Sequence, residues 1–320
     1  MATYNGVINR DNAAGLLSVE ESNEIIQNVR EQSTFLQLAK RLPNMSAKTR
    51  EYPIQLSEPI AGFVDGDTGL KPVTDMKWGK KSIVAEEIAA IIPVPDNVAA
   101  DSNFDIFAQL RPQLEAAAAK VIDKAVFFGT NKPTSWPEGI VPAAIAAGNV
   151  VYTGTTEDMY KNIFGIGGVI SQVEEDGYFV DGIVSAVSTR AKLRELRDSS
   201  KRPIFLENMQ NAVPYTLNGV QMVFPRNGAF DGSVAQLIAG DFQQAVYAIR
   251  QDVTFDVFNS GVISDDNGKV IYNLMQNDMK AIRMVIRLGW QVFNPLNGLN
   301  SNDTTRYPFA VYSAKASAGA

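Results

Sequence analysis

The chain has 320 residues, enough for two or three packed units, and its 45% hydrophobic and 20% charged content is that of an ordinary globular protein. It contains neither cysteine nor histidine, which excludes disulfides, zinc–thiolate clusters and serine–histidine or cysteine–histidine catalysis. Its net charge of −6 has the wrong sign for a protein that grips nucleic acid through its own basic patch.

Along the chain, Ser18 with Glu21 three residues later has the form of a capping box, and Ile25, Val29 and Leu36 fall on one helical face. A helix is expected near 18–30, joined by Gln32-Ser-Thr to a second apolar patch ending at Leu42-Pro43. Residues 1–45 read as an arm. Residues 46–92 read as a ribbon: Lys48-Thr-Arg-Glu-Tyr-Pro-Ile-Gln-Leu leads out, Asp65-Gly-Asp lies in the turn, and Met76-Lys-Trp-Gly-Lys-Lys-Ser-Ile-Val leads back. Such a ribbon reaches on the order of 50 Å at ~3.3 Å per residue. A lone two-stranded hairpin is marginal in water, so it must lie on something, and a second copy is the natural candidate.

The strongest helical signal covers 102–128. Ser102 and Asp105 suggest a cap, and Phe104, Phe107, Leu110, Leu114, Ala117, Val121, Ala125 and Phe128 recur every three or four residues. Pro112 predicts a kink or a fresh start, and Gly129 with Asn131 and Pro133 predicts the end. From 150 to 280 shorter elements alternate. Helices are expected over 156–175 and 189–198, and strands over 178–187, 220–224 and 236–239. Residues 244–258 support both periods. The β-branched and aromatic residues of 279–293 favour a strand, and Asn294-Pro-Leu-Asn-Gly a loop. No apolar run is long enough to span a bilayer, and the N-terminus has no secretory signal, so a cytoplasmic site of synthesis is expected.

This order of parts resembles the major capsid protein of tailed double-stranded DNA bacteriophages, the phage capsid family with the HK ninety-seven fold. Particular stretches carry the likeness. Ala89-Ala-Ile-Ile-Pro-Val-Pro-Asp resembles the family's entry to its long helix, and Asp101-Ser-Asn-Phe-Asp-Ile with Arg111-Pro-Gln-Leu-Glu-Ala the opening of that helix. Phe128-Gly-Thr-Asn-Lys-Pro-Thr-Ser-Trp-Pro-Glu-Gly-Ile resembles its exit; Ile238-Ala-Gly-Asp-Phe and Leu274-Met-Gln-Asn-Asp-Met-Lys-Ala-Ile-Arg resemble late landmarks. The resemblance implies an α+β fold with an N-terminal arm (1–45), an extended loop hairpin (46–92), a peripheral domain (93–150 and 280–320) with a spine helix over 102–128, and an axial domain (151–279). It also implies self-assembly into pentamers and hexamers of an icosahedral shell enclosing the double-stranded DNA genome. Assembly would take place in the bacterial host cytoplasm, with a portal, and either with separate scaffolding or decoration proteins or with none. Some members carry a long N-terminal scaffolding segment; here Met1 is followed almost at once by the arm, so none is expected. No catalytic residue, cofactor, metal or membrane is expected.

Lys71, Lys77, Lys80 and Lys81 cluster beside Trp78 on the ribbon, where they either meet acidic residues of a neighbouring subunit or protect a solvated strand edge. A few relatives join subunits by a covalent Lys–Asn isopeptide link, which these lysines would have to supply. Arg190, Lys192, Arg194, Arg197, Lys201 and Arg202 form the densest basic stretch, suited to a salt-bridged subunit contact or to a helix facing packaged DNA. Gly165-Ile-Gly167-Gly168 lacks the spacing of a nucleotide loop and reads as close packing inside a helix. Glu86-Glu87 and Glu174-Glu175-Asp176 read as solvated acids, not a cation site. Two rival functions stand beside the capsid: an encapsulin-type compartment with protein cargo, and a carboxylate-based hydrolase using Asp241 and Asp256.

Overall fold

Two strands of fourteen residues form the frame. Their alternating side chains, Ile282, Met284, Ile286, Leu288, Trp290 and Val292 on the second of them, give one face to a common core. The computed structural model describes residues 33–313 apart from 65–69, 72, 98–105, 154–158, 197–215, 218 and 266. The helix expected near 18–30, the turn at 65–67 and the cap at Ser102 therefore lie outside the described residues.

The chain enters as a short helix α1 (Thr34–Leu38), then strands β1 (Lys40–Arg41), β2 (Thr49–Gln55), β3 (Trp78–Val84) and β4 (Glu86–Pro95). The long helix α2 (Ile106–Phe128) follows, about 34 Å at 1.5 Å per residue. Next come α3 (Ile140–Ala147), β5 (Val150–Tyr152), α4 (Met159–Phe164), α5 (Val169–Glu175), β6 (Gly182–Ser185) and α6 (Thr189–Glu195). The last stretch is all strand: β7 (Thr216–Leu217), β8 (Val220–Val223), β9 (Ala235–Gly240), β10 (Ala245–Phe258), β11 (Val262–Ser264), β12 (Val270–Asn273), β13 (Met279–Val292) and β14 (Phe309–Ser313).

Two larger sheets result, with orders β1-β10-β13-β4 and β5-β14-β9-β6-β8-β7. In the six-stranded sheet the pleat of β9 sends Leu237 and Ala239 toward Ile163, Val169, Val173 and Leu193 of the covering helices. Ile238 goes to the other face, into the core shared with α2 and β13, and Ala235 joins it across a register shift opposite Tyr312 and Ser313. One core thus joins both sheets.

The expected boundaries do not follow the sheets. Residues 245–258 pair with 279–292, and 309–313 lie between β5 and β9, so a division at 279/280 would cut one sheet and remove a central strand from the other. Of the arm expected over 1–45, the described part beginning at Ser33 packs on the body. Phe35 is fully buried, with ring contacts to Phe127, Tyr247 and Trp290.

Several elements differ from the sequence reading. The apolar stripe of α2 runs through Phe107, Leu110, Leu114, Ala118, Ile122 and Val126, while Ala117 and Val121 face outward. A run of four alanines followed by Val121-Ile122 supports either phase, and packing decides. α2 continues through Pro112 without a fresh start. The helix expected over 156–175 is two helices, broken where Gly167 takes φ +72° and leaves Ile166 fully exposed. The glycines there make a turn; they do not pack inside a helix. The strand expected over 178–187 shortens to β6. Residues 244–258, ambiguous in sequence, are strand throughout β10.

Gly289 shows how closely the ribbon base lies on the frame. A Cβ there would stand 2.5 Å from the Val84 carbonyl oxygen and 2.8 Å from Ile83 Cγ2. Gly289→Ala is expected to cost about 1–3 kcal/mol by overpacking, with faster amide exchange concentrated in β3. Denaturant unfolding and hydrogen exchange check this, and an unchanged midpoint would contradict it.

Candidate subunit-contact surface

β2 and β3 pair from Thr49↔Val84 to Gln55↔Trp78. The inward side chains of this ribbon hold its base. Ile83 is buried with Met45, Ala85, Val246 and Ala248, and Lys81 Nζ donates to the Val292 carbonyl at 3.0 Å. Trp136 Nε1 donates to the Val84 carbonyl at 3.1 Å. Glu86, just beyond, accepts from Ser135 Oγ at 2.7 Å and pairs with Lys48 at 3.2 Å; the serine bond first, and then the lysine, hold its carboxyl below the usual range.

Past Gln55 and Trp78 the chain still runs as a pair. Leu56 N–H donates to the Lys77 carbonyl at 2.8 Å, Lys77 N–H to Ser57 Oγ at 2.8 Å, and Ile60 N–H to Thr74 Oγ1 at 3.0 Å. Here the side chains stop behaving like a protein surface. Phe63 and Val73 are wholly exposed, Leu70 is 95% exposed, Ile60 74% and Trp78 64%. So many large apolar groups on one projection mark an interaction surface. The sequence reading singled out only Trp78 among them, because apolar residues scattered through a Gly-, Pro- and Asp-rich stretch have no period to detect.

The lysines divide. Lys71 and Lys77 are exposed on the projecting part, whereas Lys80 pairs with Glu51 of the same ribbon at 2.6 Å. Lys81 is turned inward, and burial lowers its pKa. On α6, Arg194 is exposed and Arg190 half-buried, while Lys192 reaches Gln236 Oε1 at 3.2 Å. Arg197 lies outside the described residues. The ribbon packs through Ile83 beside β10, and α6 through Leu193 on the six-stranded sheet.

The arm's root is fixed by a group the sequence reading missed. Asp123, fully buried on α2, accepts from Ser33 Oγ at 2.6 Å, the N–H groups of Thr34 and Phe35 at 3.1 and 3.2 Å, and Asn227 Nδ2 at 2.7 Å. Burial pushes its carboxyl up, and the donated hydrogen bonds pull it part of the way back. A carboxyl raised on folding makes the native state hold more protons than the unfolded chain between the ordinary and the raised value. This group's contribution therefore falls as pH rises across that window, from about pH 4 upward. Denaturant midpoints of wild type and Asp123→Asn across that range should differ by a pH-dependent amount; parallel profiles would contradict it.

The supposed acid pair is not a pair. Asp256 is tied to Arg283 at 2.8 Å, and Asp241 accepts from Gln243 N–H and Gln244 Nε2 in the turn before β10. Between them lies most of β10, roughly 30 Å at ~3.3 Å per residue. Glycosidic carboxylates stand within about 10 Å. The hydrolase reading fails on distance.

The Phage capsid family model matches residues 14–298. The chain belongs to the phage capsid family. Solved structures agree along the whole length. A chain from Microbacterium phage Oxtober96 is 31% identical, covering 98% of this chain and 96% of that one, with a TM-score of 0.77. A Mycobacterium phage Cain chain is 26% identical over 95% and 100% of the two chains at TM-score 0.77. At 14% identity, the capsid of a native GTA particle shares the fold with TM-score 0.64. No curated protein sequence matches. This capsid protein has the HK ninety-seven fold and a structural role in a virion shell. Among the described residues no helix is long and apolar enough to cross a membrane.

Proposed function

We propose that this capsid protein assembles, without catalysis, into pentamers and hexamers of an icosahedral shell around double-stranded DNA, each extended loop lying on a neighbouring subunit. The exposed apolar run of Ile60, Phe63, Leu70, Val73 and Trp78 carries the proposal, because a copy alone leaves it in water. Lys71, Lys77 and the α6 arginines Arg190 and Arg194 join the subunit contacts. The acidic net charge suits a wall that DNA does not adhere to. A portal and separate scaffolding or decoration proteins complete the particle, which forms in the bacterial host cytoplasm.

Size-exclusion chromatography and negative-stain microscopy of the protein expressed alone test this. Closed particles, or rings of five or six, are expected; a monodisperse monomer at high concentration would overturn it. DNA in particles from infected cells separates a genome container from an encapsulin-type compartment, which would hold protein cargo in its place.

A further inference from the structure

Five asparagines of this chain stand directly before a glycine: Asn5, Asn218, Asn227, Asn267 and Asn297. The first two lie outside the described residues. Such a pair carries its own chemistry, because glycine has no side chain to shield its backbone nitrogen from the preceding amide carbon. The fold treats the other three differently. Asn227 is held at both ends of its amide, Nδ2 donating to Asp123 at 2.7 Å and Oδ1 accepting from Ala229 N–H at 3.0 Å. Asn297 is held three times: Nδ2 donates to the Asp176 carbonyl at 2.7 Å, and Oδ1 accepts from Leu299 and Asn300 N–H, both at 3.0 Å. Asn267 is exposed, and its side chain makes no hydrogen bond among the described residues; its backbone N–H donates to Asp265 Oδ1 at 3.0 Å. It sits at the tip of the β11–β12 hairpin, a two-stranded sheet of its own that pairs from Val262↔Asn273 to Ser264↔Val270.

We propose that Asn267-Gly268 is a self-modifying site of this capsid protein, where Asn267 loses ammonia and becomes aspartate or isoaspartate. The Gly268 nitrogen gives its proton to solvent base and bonds to Asn267 Cγ; the Cγ–Nδ2 bond breaks and ammonia leaves. Water then opens the cyclic imide at either carbonyl, and nothing else is consumed. One hydrogen bond stands in the way, from Gly268 N–H to the Asp265 carbonyl at 3.0 Å, in a hairpin short enough to open readily. At Asn227 and Asn297 the amide must first leave two and three partners. Either product adds a negative charge beside Asp265 to a chain whose net charge is already −6. Isoaspartate also carries the backbone through its own Cβ, which lengthens a turn that Asp265 N–H and the Lys269 carbonyl close at 2.9 Å. Every copy in a shell bears the same tip, so the charge accumulates as a particle ages.

The test follows purified full-length protein held at mildly alkaline pH over weeks, digested and mapped by mass spectrometry, with electron-transfer fragmentation separating isoaspartate from aspartate. A second sample is held unfolded in urea. Native Asn267 is expected to convert at least roughly ten times faster than Asn227 or Asn297, the factor that two or three hydrogen bonds provide, and the three rates are expected to converge in urea. Asn267→Gln should remove the conversion at this site and leave the other two as they were. A native rate at Asn227 or Asn297 that matches Asn267 would overturn the proposal. So would the same ranking in urea, which would assign the difference to local sequence and not to the fold.

Discussion

Asp123→Ala is expected to lower the stability of the subunit by about 3–5 kcal/mol, the largest loss of any single polar substitution proposed for this capsid protein. The carboxylate, carried by the long helix, is the shared acceptor for two separate pieces of chain: the segment Ser33–Phe35 and the turn at Asn227. Removing it leaves the buried N–H groups of Thr34 and Phe35, and the Asn227 amide, without their acceptor, and each orphaned donor costs on the order of 1–3 kcal/mol. The effect should spread to Phe35, whose ring sits among Phe127, Tyr247 and Trp290, so near-ultraviolet circular dichroism should change as well. Asn227→Ala removes one donor to Asp123 and the acceptor of the part-buried Ala229 N–H, and should cost about 1–2 kcal/mol. Urea unfolding of the three proteins measures this. A loss for Asp123→Ala below that of Asn227→Ala would show that the arm's root is held by its apolar contacts alone.

The double variant Phe63→Asp/Val73→Asp is expected to abolish assembly while leaving the subunit's own stability within about 0.5 kcal/mol. Both side chains are wholly exposed in a single copy, so folding gains nothing from them. A neighbour that covers them gains about 1.5–3 kcal/mol per side chain, and the aspartates would bring unpaired charge into the same contact. A loss of about 3–6 kcal/mol per contact weakens each association roughly a hundredfold to ten-thousandfold, and every copy in a shell repeats it. Negative-stain microscopy together with thermal unfolding separates the two quantities. Normal particles from the variant would mean that the ribbon's apolar tip is not where subunits hold one another.

Much of the fold was legible because it rests on local period and order. The alternating apolar positions of 279–292 and the alanine-rich long helix are both one-dimensional signals. Phase was less secure: nothing local distinguishes Ala117 from Ala118 or Val121 from Ile122, and only packing into the common core does so. The contact surface was harder still. Lysines draw attention by charge, yet Lys80 and Lys81 serve their own subunit, while Ile60, Phe63, Leu70 and Val73 looked like scattered loop residues. Buried polar joints had no signal at all. Asp176 accepts from Asn149 and Asn300 side chains at 2.7 Å and from Tyr307 N–H at 2.9 Å, partners up to 131 positions away. Arg306, nearly fully buried, likewise depends on Asn294, Asn300 and Asp303 to close the loop after β13. Such sites are defined by folding, and a sequence shows only their separate halves.

The place of β14 has a consequence for the timing of synthesis. It lies inside the six-stranded sheet, between β5 and β9, although more than three hundred residues precede it. At about 5–20 residues per second a ribosome needs roughly 15–60 s to deliver Phe309–Ser313, and until then β5 and β9 have an open slot between them. Nascent chains thus cannot complete this sheet before residues 309–313 have been made. A chain that still lacks Phe309–Ser313 has β5 and β9 unbridged, so this sheet closes only after that segment has been made.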